Sequence, residues 1–212
     1  MANIVLVHGM AATGRSWNDL KERLENAGHV VSSITLPGHA NPLEYLSTDL
    51  KTYVDAVMEY IPNSEAAVLI GHSMGGFVIS QVASDHPDHV AKLIYVCAML
   101  PQEGDTISGL SSQFGTGFKA IKEEFEKAGA DPLALGLQPL GPLDDAFRRS
   151  AEMDEIPRHY ILCKGDLIIP RTHQESMIEG WSGTETSEID SGHLPQYLEP
   201  DVLESHILAA LV

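Results

Sequence analysis

Short apolar runs alternate with stretches of helical periodicity along most of the chain. Ile4–Val7, Val30–Leu36, Ala66–Ile70, Val90–Cys97, His159–Cys163 and Thr184–Ile189 are β-rich and read as six strands. Ser16–Ala27 places Trp17, Leu20 and Leu24 at helical spacing, and Gly28 stands where a helix stops. Asn41–Pro42 supplies an N-cap and a first-turn proline for a helix over Leu43–Tyr60. Met74–Ser84 predicts a helix halted near Pro87, and Thr172–Glu175 reads as a capping box opening a short helix. Asp201–Leu211 predicts the closing helix.

One segment breaks this rhythm. Leu100–Met153 is rich in Gly, Pro, Ser and Gln, with helical fragments near Phe118–Ala128 and Asp144–Met153. Strands alternating with helices imply a mostly parallel sheet of about six strands with helices on both faces. The expected organisation is a single α/β domain, with residues 1–100 and 154–212 as the core and 101–153 as a cap insertion. The insertion's apolar residues Leu110, Phe114, Phe118, Phe125, Leu133, Leu135 and Leu137 either line a pocket or pack the cap onto the body. Their pattern leaves both readings open.

In parallel sheets, ligands bind beyond the carboxyl ends of the strands. The first strand is followed by His8–Gly9–Met10, the third by Gly71–His72–Ser73–Met74–Gly75, the fifth by Lys164–Gly165–Asp166, and the sixth by Asp190–Ser191–Gly192–His193. Gly-x-Ser-x-Gly alone arises by chance in on the order of one chain in ten of this length. Its position between strand and helix is what gives it weight, together with an acid and a histidine after later strands. Serine, then acid, then histidine is the chain order of enzymes built on a nucleophile elbow.

Each residue type answers a chemical need. A serine hydroxyl attacks poorly at neutral pH unless a histidine takes its proton. A carboxylate must orient that histidine and stabilise the imidazolium. Ser73, His193 and Asp166 are the expected nucleophile, base and acid, with Asp190 the nearest rival to Asp166. The backbone N–H groups of Met10 and Met74 are the expected oxyanion donors. His72 is expected to pack beside the nucleophile, His8 to support the oxyanion loop, and His39 to sit in a loop at the site's edge.

Composition narrows the partners. The 212 residues carry a formal net charge of −17, which repels nucleic acid and anionic membranes. No apolar run reaches the ~18 residues needed to span a bilayer. The N-terminus, Met1–Ala2–Asn3, has no basic region of the signal-peptide kind. The expected location is the cytoplasm, and self-association as a homodimer stays open. Cys97 and Cys163 each end an apolar run, as buried reduced thiols do. No motif for a metal or a cofactor is present in the sequence: H-E-x-x-H, a close Cys/His cluster and G-x-G-x-x-G are all missing.

With these residues in place the chain resembles the α/β-hydrolases, and among them the plant methylesterase and hydroxynitrile lyase family with its bacterial esterase relatives. The matching pieces are VLVHGMAATGRSWNDLKERLENAGHVVSSITLPGH (Val5–His39), VLIGHSMGGFV (Val68–Val78), LIYVCAMLP (Leu93–Pro101), HYILCKGDLIIP (His159–Pro170) and SGHLPQYLEP (Ser191–Pro200). The insertion matches poorly and looks shorter than the family's cap. The resemblance implies ester hydrolysis through an acyl-enzyme, no cofactor, and a small-molecule ester substrate. The family's lyases carry threonine where this chain has Gly9, and a cyanide-handling lysine where it has Leu194. Both departures favour the esterase over cyanohydrin cleavage. A ligand-binding protein on a hydrolase scaffold is the remaining alternative. Gly9, Leu194, Phe114 and Phe118 are the expected substrate-contacting residues.

Overall fold

The computed structural model describes residues 1–115 and 119–212 together with the backbone of Phe118. Six strands, β1 (Asn3–Val7), β2 (Val30–Ile34), β3 (Ala67–His72), β4 (Val90–Val96), β5 (Arg158–Cys163) and β6 (Glu185–Ile189), form one sheet in the order β2-β1-β3-β4-β5-β6. All five pairings are parallel. The chain crosses helices α1 (Asn18–Asn26), α2 (Leu50–Met58), α3 (Met74–Asp85), α4 (Ile107–Phe114), α5 (Phe118–Lys127), α6 (Ala151–Asp154), α7 (Arg171–Glu179), α8 (Pro195–Leu198) and α9 (Pro200–Ala210).

The strand pattern explains the layering. Alternate residues of each central strand enter two separate cores. Val5, Val7, Leu69, Leu93, Tyr95, Tyr160 and Leu162 face α2 and α3, packing with Tyr53, Val57 and Phe77. Ile4, Leu6, Val68, Ile70, Ile94, Val96 and Ile161 face α1 and α9, packing with Leu20, Leu24, Leu203 and Ile207. A sheet buried on both faces needs nearly continuous apolar strands, which is the pattern these runs show. The strand order reverses between β1 and β3, so the crevice between their carboxyl ends is the topological switch point.

Three helical expectations are corrected. Helix α2 begins at Leu50, not Leu43. Asn41 closes a turn instead, its Oδ1 accepting from the Leu43 N–H at 3.1 Å. The Ser47 and Thr48 hydroxyls both donate to the Glu44 carbonyl and so compete for a helix-forming acceptor. Leu43 and Leu46, 91% and 94% exposed, bury nothing that would hold a helix there. The real cap is Asp49, which accepts from the Thr52 N–H at 2.7 Å in a capping box. The helix expected over Asp144–Met153 shrinks to α6, because the preceding N–H groups are used elsewhere. Phe147 donates to Asp105 O, Arg148 to Gln81 Oε1, Arg149 to Glu103 Oε2 and Ser150 to Ser84 Oγ. The capping box at Thr172–Glu175 does not form: α7 starts at Arg171 after Pro170, and Glu175 pairs with Arg171 at 2.7 Å. The connection between β4 and β5 also holds α4, a helix its polar composition did not announce.

That connection folds back over the carboxyl ends of the strands. Thr13 donates to Ala134 O, Gly136 to Ala11 O and Leu137 to His39 O, at 2.8, 2.9 and 2.8 Å. No helix among the described residues is long and apolar enough to cross a membrane.

If the capping box sets the start of α2, Asp49→Ala should lower stability by about 1 kcal/mol. Asn41→Ala should leave the helix start intact. Urea denaturation of both variants tests this, and equal losses in the two would place the helix start back at Asn41.

Candidate active site

The link from β3 to α3 is a single residue. Ser73 takes φ 54° and ψ −124°, a left-handed backbone that a serine adopts only under constraint. The constraint is steric. A Cβ on Gly71 would lie 2.6 Å from the Gly75 carbonyl, and one on Gly75 would run into the Val7 carbonyl. Only glycines let the start of α3 press this closely on β1 and β3. Ala11 and Cys97 are the other non-glycine residues with positive φ among those described. All three lie just beyond strand ends, so backbone strain concentrates at this edge of the sheet.

The side chains converge there. His193 Nε2 lies 3.0 Å from Ser73 Oγ, and His193 Nδ1 lies 2.7 Å from Asp166 Oδ2. The other Asp166 oxygen accepts from the Ile168 and Ile169 N–H groups at 2.7 and 2.9 Å, which fixes the carboxylate's orientation. All three side chains are buried. With Nδ1 facing a carboxylate, His193 carries its proton there and presents a bare Nε2 to the serine. Asp190 points away: its side chain is 89% exposed and meets Lys164 at 3.9 Å. The geometry brings together Ser73, Asp166 and His193 and leaves the rival acid outside.

Three further histidines brace this edge. His8 Nδ1 donates to Gly9 O at 2.8 Å while its Nε2 accepts from the Leu36 N–H at 3.0 Å. It ties the loop after β1, which carries Met10, to the end of β2. His72 Nε2 donates to the His193 carbonyl at 2.7 Å, and the two rings lie 4.7 Å apart. His39 is buried rather than at the site's edge, its Nδ1 donating to Ala12 O and its Nε2 accepting from Tyr53 Oη at 2.7 Å. Burial drives the pKa of all three down, that of His8 to about 4. His193 as a neighbour lowers His72 further. These are neutral, tautomer-locked struts.

A cavity of about 280 Å³ opens from Ser73. Met10, Met99, Phe114, Ile121, Leu143, Ile168 and Ile169 make it mostly apolar, with Ser108, Ser111 and Ser112 along one side. Among the described residues, Phe114 is the one of the seven expected apolar positions that lines it, and Ile121 and Leu143 of the same segment join it. Leu110 and Phe125 belong to the core, while Leu133 and Leu137 are exposed. The Phe118 side chain lies outside the described residues. Two of the expected contacts are not among the residues lining the cavity. Leu194 is fully buried in the core and does not reach the cavity. Gly9 backs the nucleophile, a Cβ there coming within 2.8 Å of Ser73 Cβ. Apolar patterning missed the three serines because they are polar. Ile168 and Ile169 were within reach of it, since they directly follow the acid loop.

Ligand atoms of His72, Cys97 and His193 lie within 4.8 Å of one another, the one potential metal group among the described residues. Their donors are committed, with His72 Nε2 and the Cys97 thiol on the His193 carbonyl and both His193 nitrogens on Asp166 and Ser73. Binding a cation would break the Ser73–His193–Asp166 chain.

This fold and this arrangement define a class, and comparison with known proteins agrees. The profile of the alpha/beta hydrolase family matches residues 4–205, and the chain belongs to that family. It is 27% identical to Methylesterase 2 of Arabidopsis thaliana over 98% of this chain and 95% of that protein. It is equally identical, at 27%, to a pyrethroid hydrolase of Sphingobium wenxiniae, over 98% of this chain and 86% of the relative. A crystal structure of a pyrethroid hydrolase from Sphingobium faniae superposes with a TM-score of 0.87 at 25% identity, covering 98% of this chain and 96% of that one. The resemblance to plant methylesterases and their bacterial relatives, read from the motifs, stands.

The neutral histidines predict a specific acid sensitivity. Unfolded, His8 takes up a proton near pH 6.5; folded, it resists until about pH 4. Stability should hold above pH 6.5 and fall as pH drops through that window. His8 alone should remove about 2 kcal/mol by about pH 5. Urea midpoints at about pH 7.5 and pH 5 measure this, and unchanged stability would refute the neutral-strut assignment.

Proposed function

We propose that the protein is a serine carboxylesterase acting on small carboxylic esters through an acyl-enzyme. The observation carrying this reading is the unbroken chain Ser73 Oγ–His193 Nε2, His193 Nδ1–Asp166 Oδ2, at 3.0 and 2.7 Å, opening on an apolar cavity. The named esterase relatives support it.

The reaction follows from the positions. Ser73 Oγ attacks the ester carbonyl carbon as His193 Nε2 takes its proton. Asp166 holds Nδ1–H and stabilises the imidazolium. The carbonyl electrons move onto oxygen, which the Met10 and Met74 N–H groups receive. Met74, the first residue of α3, has no intrahelical acceptor for its N–H, and the helix dipole favours negative charge there. His8 steadies the Met10 donor through Gly9. Collapse of the tetrahedral species expels the alcohol, which takes the proton back from His193. Water, activated by His193 in its turn, then attacks the acyl carbon and releases the acid.

The segment 101–153 serves as the cap, supplying Ser108, Ser111, Ser112, Phe114, Ile121 and Leu143 to the cavity wall. None of the described residues lining the cavity is charged. At about 280 Å³ the cavity lies at the small end of ligand sites, which suits a single ring or a short branched chain. Buried free Cys97 and Cys163 suit the reducing cytoplasm.

Ser73→Ala should lower kcat for p-nitrophenyl acetate by about 10⁴-fold or more. Asp166→Asn should cost about 10⁴-fold, and Asp190→Asn less than about twofold. Full activity in Ser73→Ala would refute the nucleophile. Loss in Asp190→Asn with Asp166→Asn active would reassign the acid. Turnover of mandelonitrile without ester hydrolysis would replace the reading with C–C cleavage. Tight ligand binding without turnover of any ester would replace it with a binding protein.

A further inference from the structure

The loop that carries Met10 is gripped by the segment that covers the cavity. Thr13 donates to Ala134 O at 2.8 Å, Gly136 to Ala11 O at 2.9 Å and Leu137 to His39 O at 2.8 Å. Ala12 and Leu135 pair as a single antiparallel bridge. The approach is as close as backbones allow. A Cβ on Gly136 would come 2.7 Å from the Ala12 carbonyl oxygen and 2.9 Å from that of His39. One buried side chain joins the grip. Gln138 Oε1 accepts from the Ala11 N–H at 3.2 Å, and Gln138 Nε2 donates to Pro139 O at 2.9 Å. A donor on one side and an acceptor on the other fix which end of the amide faces which.

These contacts bracket the Met10 N–H. The peptide before Met10 is held at its carbonyl, Gly9 O, by His8. The peptide after it is held at its N–H, that of Ala11, by Gln138. A peptide is planar with its N–H and C=O opposed, so fixing one group aims the other. Ala11 sits at φ 51°, a conformation that a non-glycine residue keeps only where its surroundings impose it. The two neighbouring N–H groups therefore differ. That of Ala11 is taken by Gln138, while that of Met10 has no hydrogen-bond partner among the described residues.

We propose that Gln138 is a positioning residue for the reaction. By holding the Ala11 N–H it keeps the backbone at Met10 turned toward the oxygen on which charge develops. It also makes that alignment depend on a seated cap. Gln138 itself touches no reacting atom. The inference rests on the ester-hydrolase reading, with Met10 as an oxyanion donor. Removing such a donor outright costs about 10²–10³ in kcat, and mis-aiming one costs part of that. Ground-state binding, which the apolar walls supply, stays as it is.

Two disruptive variants and one conservative variant test this. Gln138→Met keeps the length of the side chain without its polar groups, and Gln138→Asn carries the amide one methylene short. Gln138→Glu keeps an oxygen for the Ala11 N–H. With p-nitrophenyl acetate, both disruptive variants should lower kcat about 10- to 100-fold with KM within about twofold, and Gln138→Glu should stay within about threefold of the unaltered protein. Acylation and deacylation both pass through an oxyanion, so kcat falls whichever step limits it. A trifluoromethyl ketone gives the second readout. Ser73 Oγ adds to its carbonyl carbon, the proton passes to His193 Nε2, and the electron pair moves onto the ketone oxygen, which the same N–H groups receive. Its Ki should weaken by the factor that kcat loses. A merely structural Gln138 would shift the urea midpoint and the active fraction without moving kcat per active site and Ki together. The proposal is overturned if either disruptive variant, once folded, keeps kcat and Ki, if KM alone rises, or if Gln138→Glu falls as far as Gln138→Met. Ester turnover that is indifferent to Gln138 sinks this assignment alone. No turnover and no ketone adduct in the unaltered protein sinks the esterase reading, and this one falls with it.

Discussion

Everything at the functional edge of this protein depends on one close approach, that of α3 to the ends of β1 and β3. Gly71 and Gly75 permit it, and any side chain at either position would strike backbone. The approach forces the single connecting residue into a left-handed conformation, so Ser73 stands proud of the strand it follows. It also brings the first N–H of α3 beside the loop that carries Met10. A strained residue of this kind costs on the order of 1–3 kcal/mol, and the packing around it must over-determine its geometry. Here the packing does so from both sides. The Ser73 N–H donates to Val96 O at 3.3 Å, and its carbonyl accepts from the Met99 N–H at 2.9 Å, tying the elbow to the end of β4.

The histidine that meets Ser73 arrives from a loop beyond β6, on the far side of the sheet order. A loop alone would leave the imidazole loosely placed. Buried polar contacts remove that freedom. His72 and the Cys97 thiol both hold the His193 carbonyl, and the Gly165 N–H donates to Ser191 O at 2.9 Å, joining the acid loop to the histidine loop. Burial keeps His72 and His8 neutral, so each offers one fixed donor rather than a charge. A protonated His72 beside His193 would oppose the imidazolium that the proposed reaction forms; a neutral one does not. The same desolvation that makes these residues acid-sensitive is what makes them suitable neighbours for a base.

The strands and the three converging residues were legible because their signals are local and strong. Both-face burial demands continuous apolar runs, and a glycine-flanked serine after such a run has few structural uses. Chain order then separated His193 from nine other histidines. It favoured Asp166 and left Asp190 as the nearest rival, because both follow strands within a turn-forming stretch. The difference lies in the Ile168 and Ile169 N–H groups, which orient Asp166, and no spacing rule reports them. The helix ends failed for a different reason. Asn41–Pro42 and Asp144–Met153 have acceptable local propensity, but side chains and distant carbonyls claim their backbone groups. His39 was misplaced for the same reason, since its partners are Ala12 and Tyr53, neither predictable from its neighbours.

The wall of the cavity was the least legible part, and its chemistry explains why. Reaction centres at strand ends are built from few residues with sharp requirements. Pockets are built by whatever the covering segment presents, here α4, the following helix and the loop at Leu143. Searching that segment for apolar residues selects those that anchor it, such as Leu110 and Phe125, because anchoring and lining draw on the same residue types. Among the described residues of the segment, Phe114 and Ile121 do both. What distinguishes a lining position on an anchored helix is the opposite signature: a small polar residue one face away from the anchors, where a core residue would be too large. Ser108, Ser111 and Ser112 fit that description, and only the hydrogen-bond ledger tells them apart. Two of the hydroxyls are bonded within the protein. The third, Ser111 Oγ, is closed off from solvent with no partner among the described residues.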